Sequence, residues 1–197
     1  MIPMIPLRVQ VKFFVDNPNG LDLTVFSVIF QRWIQQNKLE GQMIDVADYL
    51  HVPDGPGIVF IGDQTDYAME QTGRLGLLTT RKRQHSGVQD QLRDAFRLGL
   101  TACALLEAEP ELKGKIKFRT DEAEIRFLDR LQLPNRPESL DLVQSNVQAV
   151  LSEVYGDAPA SFERIGDEPR HVLTLAVRAP GAAPVAALVE QVKAKIG

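Results

Sequence analysis

The chain has 197 residues, 44% of them hydrophobic and 24% charged, with a net charge of -4 and a pI of about 5.4. That length fits one large domain or two of about 100 residues each, and the mildly acidic balance excludes the global basic field that recruits nucleic acid. Cys103 is the single cysteine, so an internal disulfide and a cysteine-based zinc site are excluded too.

The N-terminal Met-Ile-Pro-Met-Ile-Pro is short, interrupted by Pro3 and Pro6, and has no basic flank, so it does not read as a signal peptide. No run approaches the roughly 18 apolar residues of a membrane span. The expectation is a soluble, cytoplasmic protein with neither membrane nor nucleic acid as a partner. Arg8 to Val15 then alternates Val9, Val11, Phe13 and Val15 with Arg8, Gln10, Lys12 and Phe14, which predicts a strand with one buried face. After an Asn- and Gly-rich turn, Asp22 is placed to N-cap a helix over Leu23 to Gln36. Its Phe26, Ile29, Phe30 and Trp33 fall on one core-facing stripe.

Met43 to Gly62 is the densest structural signal: two apolar runs hinged on Asp54-Gly55-Pro56-Gly57, reading as a β-hairpin. In a strand over Met43 to Leu50, Ile44, Val46 and Leu50 share one face, with Asp45, Tyr49 and His51 on the other. A helix of about two turns over Ile44 to Leu50 is the alternative, limited by Pro53. Tyr67 to Thr72 and Leu75 to Lys82 suggest a second hairpin, ending in the basic run Arg81-Lys82-Arg83. Gly87 to Glu107 reads as a helix that buries Cys103 as a small hydrophobe. Strands are expected over Lys115 to Arg119, Glu124 to Leu131, Phe162 to Ile165 and His171 to Arg178. Helices are expected from the Pro134–Pro137 break to Tyr155, with Gly156 closing it, and over Pro184 to Ile196.

This order of elements recurs. Each half reads βαββα, and Pro18-Asn19 before Leu21-Asp22-Leu23 parallels Pro134-Asn135 before Leu140-Asp141-Leu142. Asp54, Pro56 and Val59 likewise parallel Asp167, Pro169 and Val172. The fold expected is α+β: two tandem ferredoxin-like halves with antiparallel sheets, residues 1–120 and 121–197, the first carrying an inserted hairpin at 63–86. The two sheets would pack face to face or join edge to edge. A single α+β domain is the alternative.

Asp45, Asp48, His51 and Asp54 recur every three residues, and Asp with His is a metal-ligand vocabulary. A strand, however, sends Asp45 and His51 to one face and Asp48 and Asp54 to the other, while a metal needs about three converging ligands. No metal and no cofactor are therefore expected. His51 is the best acid–base candidate because imidazole changes charge near neutral pH; His85 and His171 are weaker. The candidate ligand-binding residues are Asp45, Asp48, Tyr49, His51, Arg81 and Arg83. Neither a phosphate loop, nor a dinucleotide fingerprint, nor a Gly-x-Ser-x-Gly elbow occurs. Three functional readings remain. The first is a non-catalytic binding or regulatory module with a small ligand, an anion among the candidates, or a protein partner at the junction of the halves. The others are an enzyme using His51 with Asp48 or Asp45 and the basic Arg81–Arg83 segment on an anionic substrate, and a structural homo-oligomer.

Overall fold

The computed structural model describes residues 8–82 and 87–196. Within them the chain is α+β, with four helices and one eight-stranded antiparallel sheet. The elements run β1 (Val9–Phe14), α1 (Val25–Gln36), β2 (Met43–Asp48), β3 (Ile58–Gly62), β4 (Thr65–Glu70), β5 (Gly76–Arg81) and α2 (Val88–Ala108). They continue as β6 (Glu122–Phe127), α3 (Pro137–Tyr155), β7 (Ser161–Arg164), β8 (Leu173–Arg178) and α4 (Val185–Ile196). Across the sheet the order is β2-β3-β4-β5-β1-β6-β8-β7.

β1 lies inside the sheet, antiparallel to β5 on one side and to β6 on the other. Of the two arrangements expected, face to face or edge to edge, the described residues form one continuous ladder, and one hydrophobic cluster runs from Val9 to Val192. The 63–82 segment is not a marginal insertion either. Its β4 and β5 lie between β3 and β1, and it is the β2–β3 hairpin that forms the outer edge.

Pairing register fixes the two faces. Phe60, Tyr67, Thr79, Val11, Ile125 and Leu175 stand across from one another on one of them. That face is covered by the helices: Phe30 of α1 stacks on Phe60 at 5.0 Å between ring centroids, and Phe96 of α2 meets Phe13 edge-on at 5.9 Å. α3 and α4 pack against α2. The opposite face carries no helix among the described residues.

Several local expectations shift for identifiable reasons. Helix α1 begins at Val25, because the Asp22 carboxylate accepts the Thr24 N–H at 2.9 Å and the Thr24 hydroxyl at 2.7 Å, tying up the residues before the first turn. Lys115 to Arg119 is not a strand; only Phe118 makes a bridge, to Val15. β6 starts at Glu122 and ends at Phe127, short of the expected Leu131. In β2 the register slips between Met43 and Asp45, which turns Ile44 outward to 58% exposure instead of into the core with Val46. The outer edge of β2 is guarded: Asp45 accepts the Val46 N–H at 2.8 Å, leaving that amide unavailable to another strand. At the end of the hairpin Gly57 has φ +75° and a Cβ there would lie 2.0 Å from the Met69 carbonyl oxygen, so only glycine fits.

Candidate functional site

A strand with one uncovered face ordinarily leaves that face wet. β1 departs from this: Lys12, on the helix-free face, is only 1% exposed. Its chain crosses β5 where Gly76 offers no side chain; a Cβ at Gly76 would meet Lys12 Cε at 3.0 Å. Beyond that gap Lys12 Nζ donates to Glu70 Oε2 at 2.7 Å and to the Thr72 carbonyl at 3.0 Å. From the other side Arg126 of β6 donates to both Glu70 oxygens at 3.0 and 2.9 Å, and to Glu124 at 2.5 Å. Four charged side chains from β1, β4 and β6 thus form a polar cover where no helix lies.

Burial and pairing oppose one another here. Burial disfavours the Glu70 carboxylate, but hydrogen bonds from Arg126 and Lys12 outweigh it and hold the carboxyl below the usual glutamate range. For Lys12 burial wins over Glu70, and its ammonium is pushed below the usual lysine range.

A second cluster adjoins the first. Glu122, whose side chain is 5% exposed, receives Arg74 bidentately at 2.9 and 2.6 Å, Arg178 from the facing position on β8 at 2.6 Å, and Arg119 at 2.9 Å. Arg119 also donates to Asp121 at 3.0 and 2.6 Å, so three guanidinium groups face two carboxylates and positive charge is in local excess by one; Arg74 foremost holds the Glu122 carboxyl below its usual range. Arg74 also lays its guanidinium over the Phe14 ring, 4.2 Å from the centroid.

Between the clusters is a cleft of about 410 Å³ on the helix-free face, lined by Lys12, Phe14, Arg74, Glu122, Arg126 and Arg178 among others. It spans β1, β6 and β8 and the β4–β5 turn, where residues up to 120 meet residues from 121 onward. The volume suits a small molecule.

The residues singled out from sequence lie elsewhere. Asp45 and Asp48 are exposed on the edge strand β2, and Tyr49 and His51 are exposed in the turn after it. Arg81, at the end of β5, is separated from β2 by β3 and β4, and donates to Thr65 at 2.9 Å and Asp94 at 3.3 Å. Arg83 and His85 fall outside the described residues. The structure does not bring Asp45, Asp48, Tyr49 and His51 together with Arg81. Replacing His51 by alanine is expected to leave stability within about 0.5 kcal/mol of the parent chain, as for exposed positions generally; urea unfolding checks this. Among the described residues no three His, Cys, Asp or Glu side chains gather as a metal site, and no helix is long and apolar enough to cross a membrane. Cys103 is fully buried, and burial pushes its thiol well up. The sequence alone does not join Lys12, Glu70, Arg74 and Glu122 into one site. The available signal is a lysine within the strand VQVKFF, which pairs with a strand that begins at Gly76.

No family model matches the chain, and no curated protein shows significant sequence similarity to it.

Proposed function

We propose that the chain is a non-catalytic ligand-binding or regulatory module whose site is the cleft at the β1–β6–β8 junction. One observation carries this reading: a cleft of about 410 Å³ lined by Arg74, Arg126 and Arg178 lies on the only broad sheet face without helices among the described residues. The charged groups around it are paired with one another, an arrangement that presents fixed charge to a ligand instead of a free acid or base. The excess of arginine over carboxylate at Glu122 favours a small anion.

The duplicated architecture belongs to the same proposal. β6-β8-β7 repeats the relation β1-β5-β4, each a strand, a helix, then a hairpin whose second strand pairs with the first. Each half then borrows the other's first strand as its neighbour. This is the ferredoxin-like order with β2–β3 as the addition, and it puts the cleft at the joint between the copies.

A thermal-shift series with acetate, citrate, inorganic phosphate, benzoate and 2-naphthoate tests the reading. At least one anion should raise Tm in a concentration-dependent way, and Arg178→Gln should abolish the rise. No rise with any of them, or a rise that Arg178→Gln leaves intact, contradicts it.

A further inference from the structure

The Arg74 guanidinium is a planar group held in place at its edge. Glu122 holds that edge bidentately at 2.9 and 2.6 Å, and the guanidinium carbon lies over the Phe14 ring, 4.2 Å from its centroid. The side chain nevertheless remains 51% exposed. An exposed guanidinium fixed in this way is a platform for a planar π system. Beside it Arg178 also lines the cleft, 59% exposed, and among the described residues gives only Nη1 to Glu122. Its Nε and Nη2 donors are free to meet an anion. Ala176 and Ile165 add apolar lining close by.

We propose that the cleft takes a planar aromatic or heteroaromatic molecule bearing one anionic group, its ring lying on the Arg74 guanidinium and its anion on Arg178. The inference rests on the ligand-binding reading above and names the ligand class for that site. Recognition divides accordingly: Arg74 reads flatness and Arg178 reads charge. Lysine at position 74 keeps the charge but has no plate, so it separates the two contributions.

Isothermal titration calorimetry of the full chain tests the proposal with 2-naphthoate, 2-naphthyl phosphate, cyclohexanecarboxylate and 2-naphthamide. 2-Naphthoate should bind at least tenfold more tightly than cyclohexanecarboxylate, which lacks the flat ring, and than 2-naphthamide, which lacks the charge. Arg74→Lys should erase the preference for the flat ring while leaving carboxylate binding, and Arg178→Gln should remove both. The phosphate arm tells which anion the site prefers, since 2-naphthyl phosphate binding more tightly than 2-naphthoate marks a phosphate-bearing ligand of the same class. Equal affinity for 2-naphthoate and cyclohexanecarboxylate, both lost in Arg178→Gln, overturns the planar-ligand inference while leaving an anion site. Absence of binding by all four compounds overturns the inference. Circular dichroism melts of both variants should match the parent chain, because each substitution leaves Glu122 with two arginine partners.

Discussion

Replacing Glu70 by alanine is expected to destabilise the chain by about 3–5 kcal/mol, the usual consequence of removing one partner from a buried ion pair. Lys12, 1% exposed, and Arg126 both lose their shared acceptor, whose oxygens stand 2.7 Å from Lys12 Nζ and 2.9 Å from Arg126 Nη2. The stranded ammonium keeps only the Thr72 carbonyl, at 3.0 Å, as an acceptor among the described residues. Removing the whole group should behave differently: a Lys12→Met, Glu70→Leu, Glu124→Gln, Arg126→Met chain should unfold at a urea concentration equal to or above that of the parent, because all four charges of the cluster are gone. Urea unfolding at pH 7 measures both, and a Glu70→Ala cost below about 1 kcal/mol would mean that the network is effectively wet. The pH dependence has a definite sign. Glu70 titrates lower when folded than when unfolded, so its pairing stabilises the chain above the ordinary glutamate pKa of about 4.3 and that stabilisation is lost as pH falls through the lower folded value. Glu70→Gln should therefore flatten the acid limb of stability against pH.

Phe60→Ala should cost about 3–5 kcal/mol, the range for emptying a large aromatic site in a packed core. Phe60 is fully buried and is the hub through which β3 holds α1: Phe30 stacks on it at 5.0 Å with 9° between planes, Trp33 lies at 6.3 Å and Tyr67 at 6.2 Å. α1 touches the sheet chiefly at β2 and β3, the outermost pair on that side, so few neighbours can close the hole. Trp33 is the single tryptophan, and its Nε1 donates to Glu109 at 2.5 Å. Its emission reads this region alone. The expected result is a Tm lowered by roughly 6–20 °C, given about 2–4 °C per kcal/mol at this chain length, together with a red-shifted Trp33 spectrum. An unchanged spectrum with a small Tm loss would show that α1 docks without the aromatic hub.

Much of the fold was legible in the sequence, because period and punctuation act locally. The alternation in Val9 to Phe13, the stripe Phe26-Ile29-Phe30-Trp33 and Gly156 at the end of α3 each lead to the element observed. Strand order was harder. Asp54-Pro56-Val59 and Asp167-Pro169-Val172 match as strings, yet the first lies at the edge hairpin β2–β3, whereas β5, not β3, occupies the place beside β1 that β8 holds beside β6. Local turn chemistry says that two strands pair but does not say where the pair enters a sheet. The site was harder still. Asp45, Asp48 and His51 draw attention because they are close in sequence, but an edge strand disperses them into solvent. Glu70 and Arg126 are 56 positions apart in the chain and meet only because β4 and β6 flank the β5–β1 pair. The alternation around Lys12 puts it on the polar face, so neither its burial nor its partner can be read without the register.

Where a bound anion perturbs the chain is read most directly from amide chemical shifts of the uniformly ¹⁵N-labelled protein, titrated separately with 2-naphthoate and inorganic phosphate. Shifts centred on Gly73, Arg74, Ala123 and Ala176 to Arg178 are expected, with Asp45 to His51 unmoved. Shifts concentrated between Asp45 and His51 or at Arg81, with the cleft silent, would overturn the cleft as the binding site.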